Sequence, residues 1–209
     1  MQKIRDMKLR NITIVVVVLV LLDQLLKIWI KTNLALGESI EILPWFRLHF
    51  IENNGAAFGM QLNTGGAFDW GKLLLSLFRM VMIGLLGYYI HYLTRSERKV
   101  PRGILIGLGL IMAGAIGNLI DSMFYGLIFS ASTPMEVAHW GGGYAPMMMG
   151  KVVDMFYFPL FQWNGVPSWL DFLVDHNNYF FGAIFNLADA YISVAVVYLL
   201  IFHWKFFQD

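Results

Sequence analysis

Residues 185–192 read Phe-Asn-Leu-Ala-Asp-Ala-Tyr-Ile, and they decide the fold because they open a long apolar run with an amide and an acid. The run from 184 to 203 is typical of a membrane-spanning helix. An aspartate at the centre of such a helix costs about 2.5–3.5 kcal/mol, so Asp189 needs a reason to be there. Two readings of an isolated acid stay open: a functional group, or a structural acid that caps a helix or pairs with a base.

The rest of the chain is as apolar as this stretch. Hydrophobic residues make up 58% of its 209 residues and charged residues only 14%, and the mean hydropathy is +0.61. This composition predicts a single membrane-embedded domain over residues 1–209. The net charge is +1, and no basic stripe is interleaved with aromatics, which argues against a nucleic-acid partner. The absence of cysteine excludes disulfides, thiolate metal ligands and a cysteine nucleophile.

Four apolar runs predict a membrane all-α bundle of four transmembrane helices, at about 12–31, 73–93, 104–121 and 184–203. The first run is longer than the core of a signal peptide and no small-residue cleavage site follows, so we expect it to be retained. Strand-like alternation over residues 45–51 predicts a small β-containing subdomain on the membrane surface.

The basic residues predict the orientation. Four precede the first run, four lie between the second and third runs, and Lys205 follows the fourth. This bias predicts that both termini are cytoplasmic and that the long segments 33–71 and 122–183 face outward. Asp189 is then expected about five residues into the fourth helix, roughly 8 Å below its outer end. The other polar residues expected in this outer layer are Asp23, Lys27, Arg79, Asn118 and Asp121.

Elimination leaves carboxylates as the reactive groups of this layer. The five histidines are scattered singly, so a zinc site of the His-Glu-x-x-His type is not indicated. Ser122 and Ser193 do not lie in a nucleophile motif or beside a predicted base. Two acids in one low-dielectric site cannot both ionise comfortably, so one activates water while the other protonates a leaving amine. Asp154 and Asp189 are the favoured pair.

Five stretches occur in an order that resembles the lipoprotein signal peptidase family, signal peptidase II. They are Asp-Gln-Leu-Leu-Lys at 23–27, Asn-Gly-Ala-Ala-Phe at 54–58, Gly-Asn-Leu-Ile-Asp at 117–121, Val-Val-Asp-Met at 152–155 and Phe-Asn-Leu-Ala-Asp at 185–189. The family consists of bacterial membrane aspartic peptidases that remove the signal peptide from prolipoproteins. Each stretch alone is a weak signal, and together they span the chain from the first run to the last.

The resemblance implies that Asp154 and Asp189 are catalytic. It also implies substrate-binding or supporting roles for Asp23, Lys27, Asn54, Gly55, Asn118, Asp121, Asn186 and Ala188. The implied substrate is a prolipoprotein cut before a cysteine that carries diacylglycerol, with membrane lipids as further partners. The implied enzyme is a monomer without metal or organic cofactor, lying in the bacterial cytoplasmic (inner) membrane with its active site near the outer face.

The chain departs from the family pattern in two places. Ser122 stands where the family usually carries arginine, and the segments 122–151 and 155–184 are longer than the compact pattern. Arg79 is expected either to replace the missing guanidinium or to extend to the lipid headgroups. The Gly- and Met-rich stretch 139–150 is expected either to lie near the acyl chains of the substrate or to be a passive insertion.

Two other functions agree with intramembrane charges. A proton-coupled transporter would use them as a relay, although they gather in one layer and no inverted repeat is visible. A non-catalytic membrane scaffold would use the polar layer to bind another protein's helix.

Overall fold

A computed structural model describes residues 9–53, 69–96, 99–174 and 177–208. Its α-helices are α1 (Leu9–Asn33), α2 (Trp70–Arg95), α3 (Arg102–Ile120), α4 (Gly126–Ile128) and α5 (Leu187–Phe202). A π-helical turn, Asp121–Tyr125, joins α3 to α4, and 3-10 helices cover Ser168–Leu173 and Trp204–Phe207. The strands are β1 (Ser39–Leu43), β2 (Phe46–Asn53), β3 (Val152–Tyr157) and β4 (Ile184–Phe185).

The chain divides into two compact units. The first comprises the described residues of Met1–Gln24, Leu62–Ile120 and Leu187–Asp209, and the second those of Leu25–Gln61 and Asp121–Asn186. The first unit is helical, with α3 packed against both α2 and α5. Its core is a continuous apolar cluster of Ile12, Val16, Ile90, Leu93, Ile104, Leu105, Leu108, Met112, Ala113 and Leu199.

Close helix packing in the first unit depends on small residues. A Cβ atom added to Gly117 of α3 would lie 2.5 Å from Oδ2 of Asp23 and 3.2 Å from Cβ of Ala188. Glycine at this position therefore lets α1 and α5 approach the same turn of α3, as small residues do in membrane bundles.

Three helical paths within the described residues are long and apolar enough to cross a membrane: Leu9–Asn33, Trp70–Arg95 and Arg102–Ile128. Apolar side chains are exposed along α2, including Leu74, Phe78 and Val81, as expected for a helix solvated by lipid. The prediction of long apolar helices with a small sheet is confirmed. α5 has only 16 residues, so the count of four spans stays a prediction.

The second unit contains an antiparallel sheet in the order β1-β2-β3-β4. In this sheet Ile51 of β2 pairs with Asp154 of β3, and Phe156 of β3 pairs with Phe185 of β4. The predicted strand at 45–51 is therefore correct in type; it pairs with β1, directly before it in the chain, and with β3, about a hundred residues further along. β3 is almost completely buried and carries Asp154 into the protein interior.

Two predicted helix boundaries are wrong. Residues 184 and 185 form β4 rather than the start of the last helix, because their backbone pairs with β3. α5 begins at Leu187, so Asp189 is its third residue and lies about 3 Å from its start instead of the expected 8 Å. The third helical path continues beyond residue 121 to Ile128 through the π-helical turn, so the predicted outer segment 122–183 begins as a helix.

Candidate active site

Asp23 supports the start of α5 from a neighbouring helix. Its side chain is fully buried, and Oδ1 accepts a hydrogen bond of 3.0 Å from the backbone N–H of Ala188. The first N–H groups of a helix have no partner within the helix, so this carboxylate caps α5 in place of a local residue. Gln24 donates to Oδ2 of Asp23 at 3.2 Å and to the carbonyl of Gly117 at 3.1 Å, which ties α1 to α3.

Asp189 lies in the first turn of α5, where the helix dipole stabilises negative charge. The Nδ2 group of Asn118 donates to Oδ1 of Asp189 at 2.8 Å. Asn118 is buried, whereas Asp189 is half-buried. The first unit thus brings together four of the residues singled out in the sequence: Asp23, Asn118, Ala188 and Asp189.

Lys27 and Asp121 form a salt bridge in the second unit, with Nζ and Oδ2 separated by 2.8 Å. The exposed fraction of both side chains is 0%. The same Oδ2 atom accepts a hydrogen bond of 3.3 Å from the backbone N–H of Val153, the residue before Asp154. This buried ion pair therefore holds the backbone of β3 beside Asp154.

Asp154 is held at both of its carboxylate oxygens. Nδ2 of Asn186 donates to Oδ1 at 2.6 Å, and Nδ2 of Asn53 donates to Oδ2. The exposed fraction of Asp154 is 1%. Two amide donors stabilise the ionised form of a buried carboxylate. A proton on either oxygen would place an O–H group against an amide N–H group, and one hydrogen bond would be lost.

A further polar cluster lies in the second unit. Lys31 of α1 and Glu52 of β2 form a salt bridge in which both side chains are buried. Ser132 contacts both, with Oγ 2.8 Å from Nζ of Lys31 and 2.9 Å from Oε1 of Glu52. Lys151 lies 3.6 Å from Oε2 of Glu52.

Tyr144 closes one side of this cluster. Its Oη atom accepts a 2.7 Å hydrogen bond from the backbone N–H of Lys151, and Nζ of Lys31 lies 5.0 Å from the centre of its ring. Burial raises the pKa of the Tyr144 phenol above its ordinary value, so it remains neutral across the physiological range.

Ser122, which stands where the family usually carries arginine, is buried. The exposed fraction of Ser122 is 1%, and its carbonyl accepts a hydrogen bond of 2.8 Å from Gly150. A Cβ atom at Gly150 would lie 2.9 Å from the backbone nitrogen of Gly126 and would also meet the carbonyl of Asp121. The segment that ends at Gly150 therefore packs against the π-helical turn, and an arginine at 122 would have to displace it.

Some predicted site residues are not brought together with the others. Asn54 and Gly55 lie outside the described residues. Arg79 is half-buried on α2 of the first unit, and its expected replacement of the missing guanidinium stays a prediction.

Sequence reasoning missed Asn53, Glu52 and Lys31. Asn53 is adjacent to the asparagine chosen from the motif, and its contact with Asp154 depends on the pairing of β2 with β3. Lys31 follows Lys27 by one helical turn, so the spacing of four residues was an available signal. Among the described residues, no group of three or more histidine and acidic side chains is arranged to hold a metal ion.

The long apolar helices and the buried carboxylates held by amides define the class: a membrane protein with groups suited to acid–base chemistry. A model of the family described as signal peptidase (SPase) II matches residues 15–205. The chain belongs to the signal peptidase II family and is therefore a protease of a bacterial membrane. This confirms the resemblance found in the sequence.

Individual relatives agree with this family. A lipoprotein signal peptidase of Porphyromonas gingivalis is 46% identical over 189 residues, covering 89% of this chain and 79% of the relative. One from Amoebophilus asiaticus is 35% identical over 190 residues, covering 87% of this chain and 72% of the relative. A bacterial membrane enzyme solved by the in meso method at 2.3 Å resolution has a similar fold, with a TM-score of 0.60 at 20% identity, over 94% of this chain and 89% of that chain.

Proposed function

We propose that the chain is an aspartic endopeptidase that removes the signal peptide from diacylglyceryl-modified prolipoproteins. Asp154 and Asp189 form the acid–base pair that activates water. The relatives at 46% and 35% identity are lipoprotein signal peptidases, which supports this class of substrate. The acyl chains of such a substrate would keep the scissile bond at the membrane, so that binding energy is available for orientation.

The observation that carries the proposal is that each of the two acids accepts a hydrogen bond from an asparagine that belongs to another of the five motifs. Asn186 donates to Asp154 and stands three residues before Asp189. Asn118 donates to Asp189 and stands three residues before Asp121, which binds the backbone beside Asp154. Three residues of chain span at most about 11 Å. Covalent connectivity therefore favours a role for both acids in one reaction.

The proposed chemistry uses both carboxylates once. Asp154 takes a proton from water while the water oxygen attacks the scissile carbonyl, and the amide donors Asn53 and Asn186 favour the ionised form that this step requires. In the state in which the two acids share one proton, Asp189 gives that proton to the amide nitrogen as the C–N bond breaks. The products are the signal peptide with a new carboxylate and the lipoprotein with a free amine.

The direct test is cleavage by the purified protein in lipid. A diacylglyceryl-modified prolipoprotein is expected to be cut immediately before its modified cysteine, and mass spectrometry of both products identifies the bond. The matched control is the same precursor without the lipid, for which we expect a much lower kcat/KM because the orientation supplied by the acyl chains is lost. Intact lipidated precursor after long incubation would refute the proposed function.

The proposed placement has four spans, cytoplasmic termini and an active site near the outer face of the cytoplasmic membrane. α5 covers about 24 Å in its 16 residues, which is short of a hydrocarbon core of about 30 Å. The aromatic 3-10 helix Trp204–Phe207 follows it and supplies side chains suited to a membrane interface. The basic-residue bias supports the orientation.

Cysteine labelling tests this orientation, because the chain has no cysteine of its own. Met135, with an exposed fraction of 94%, replaced by cysteine is expected to react with an impermeant maleimide added to spheroplasts. Lys99→Cys is expected to react only after permeabilisation, since Lys99 is exposed in the segment assigned to the cytoplasm. Labelling of position 99 in sealed spheroplasts would contradict the proposed orientation.

A further inference from the structure

The buried cluster of Lys31, Glu52 and Ser132 has no part in the proposed proton transfers. Burying two charges is costly even when they pair, so the pair needs a function that an apolar contact would not supply. Its position suggests one. Glu52 precedes Asn53 in β2, and the Asn53 amide donates to Asp154.

Strand geometry separates the two side chains. Successive side chains of a strand point to opposite faces of a sheet. Asn53 pairs with Val152 and lies on the face that carries Asp154, whereas Glu52 pairs with Val153 and lies on the opposite face. The ion pair of Lys31 and Glu52 therefore fixes β2 on the sheet face opposite Asp154, at the residue next to Asn53.

The cluster is not a serine–lysine catalytic pair. The Ser132 hydroxyl donates to Oε1 of Glu52 and accepts from Nζ of Lys31. Lys31 also donates to Glu52. Nζ of Lys31 donates to both Ser132 and Glu52, and the Ser132 hydroxyl donates to Glu52, so Lys31 is not arranged to take the proton of Ser132. The serine therefore bridges the ion pair and is not positioned as a nucleophile.

The segment between the π-helical turn and β3 completes the cluster. It supplies Ser132, and it supplies the rings of Phe129 and Tyr144, whose centres lie 5.6 Å and 5.0 Å from Nζ of Lys31. Aromatic faces at this distance stabilise a cation by electrostatic attraction. The long segment 122–151 is thus the part of the chain that encloses the Lys31–Glu52 pair.

We propose that Lys31, Glu52 and Ser132 are positioning residues for the peptidase reaction, and that the segment 122–151 serves to build this network around Glu52. The network fixes β2 so that the Asn53 amide points at Asp154. This inference rests on the proposed function. Positioning of a reacting group to within a fraction of an ångström is what supporting hydrogen bonds provide in active sites.

Ser132→Ala is the mildest test because it removes one hydroxyl and leaves both charges in place. We expect kcat on the lipidated substrate to fall about tenfold, the effect of losing one hydrogen bond to a charged group. KM is expected to change by less than about twofold, because the change acts on a reacting group and not on substrate binding. Ser132→Thr retains the hydroxyl and is expected to restore kcat.

The matched control is Ser130→Ala, two residues away in the same segment. The Ser130 hydroxyl contacts His139 and no member of the cluster. Its removal is expected to leave kcat and KM at wild-type values. The melting temperature of each variant, measured in the same lipid or detergent, separates loss of positioning from loss of fold.

A pH profile adds a measurement that a purely structural role would not change. If Asn53 donates less well to Asp154, the charged carboxylate loses stabilisation and the acidic limb of the kcat profile moves to higher pH. Within the second unit, the charged groups on the elements that contact β2 and β3 include Lys27 and Asp121, the Lys31–Glu52 pair, Lys151 before β3, and the Arg47–Glu41 pair of β2 and β1.

Glu52→Gln and the double variant Lys31→Met/Glu52→Gln extend the test. The single change leaves Lys31 without its carboxylate and is expected to lower the melting temperature, whereas the neutral double variant is expected to recover it. Both variants are expected to have a low kcat, because neither contains the Lys31–Glu52 ion pair that holds β2 next to Asn53.

The outcomes are distinct. Wild-type kcat and an unmoved acidic limb in Ser132→Ala, with the wild type active, would overturn the positioning role and leave the proposed function intact. A double variant that recovers both melting temperature and kcat would show a purely structural pair and would also overturn it. Failure of the wild type to cleave the lipidated precursor would refute the proposed function and this inference together.

Discussion

Asp154→Asn and Asp189→Asn are each expected to reduce kcat for prolipoprotein cleavage by about 10²- to 10⁴-fold or more. An asparagine has the size of an aspartate but neither accepts nor delivers a proton at these pH values. In the proposed mechanism, the Asp154 variant deprives the attacking water of its base, and the Asp189 variant deprives the leaving amine of its acid. The measurement is single-turnover cleavage of a diacylglyceryl-modified precursor, which separates the chemical step from product release.

The two variants differ in their expected stability. Asp154 accepts amide hydrogens at both oxygens. In the asparagine variant, the new side-chain NH₂ group would face the NH₂ group of Asn53 or Asn186, and two donors would oppose each other. We expect the free energy of unfolding of Asp154→Asn to fall by about 1–3 kcal/mol, the cost of one unsatisfied buried polar group. Asp189 is half-buried, and its variant is expected to lose less.

Asp171→Asn provides the control for this experiment. Asp171 is an exposed acid of the 3-10 helix Ser168–Leu173 in the second unit. Its replacement is expected to leave the cleavage rate unchanged. Near wild-type turnover by either Asp154→Asn or Asp189→Asn, in a folded and membrane-inserted protein, would show that this acid is not part of the reaction.

Lys27→Met is expected to lower the free energy of unfolding by about 3–5 kcal/mol, the cost of breaking a buried ion pair from one side. The salt bridge with Asp121 is completely buried, so removal of the lysine takes away the cation that is bound to a buried carboxylate. The same carboxylate binds the backbone of Val153, and we therefore expect cleavage to decrease as well. Unfolding in denaturant, followed in a fixed detergent, measures the stability change.

The double variant Lys27→Met/Asp121→Asn tests the reason for this loss. The side-chain oxygen of asparagine still accepts the N–H group of Val153, and both charges of the pair are removed together, so most of the lost stability is expected to return. Lys205→Met removes an exposed lysine after the last helix and is the control for loss of a positive charge. A Lys27→Met protein within about 1 kcal/mol of wild type would mean that Asp121 finds another partner or becomes neutral.

Much of the fold follows from the sequence through the cost of placing polar groups in hydrocarbon. Runs of about twenty apolar residues become helices because only a helix satisfies its backbone internally there. The same cost identified Asp23, Lys27, Asp121 and Asp189 as residues that need partners. The family membership expected from the five motifs is confirmed by the match over residues 15–205.

The boundary between β4 and α5, just before Asp189, could not be predicted from the local sequence. Residues 184 and 185 are as apolar as the helix that follows, and nothing local distinguishes a short strand from a first helical turn. Pairing with β3 makes them a strand, and the carboxylate of Asp23 receives the N–H group of Ala188 where α5 begins. Both contacts join parts of the chain that are distant in sequence.

The tertiary structure alone decided which partner each polar residue has. The sequence indicated that Lys27 needs an acid but not that Asp121 is that acid. It offered two adjacent asparagines, and strand register brings Asn53 to Asp154. It gave no sign that Ser132 would bridge Lys31 and Glu52. Burial cost depends on residue type and can be read along the chain, whereas the compensating contact depends on the spatial proximity of residues that are distant in sequence.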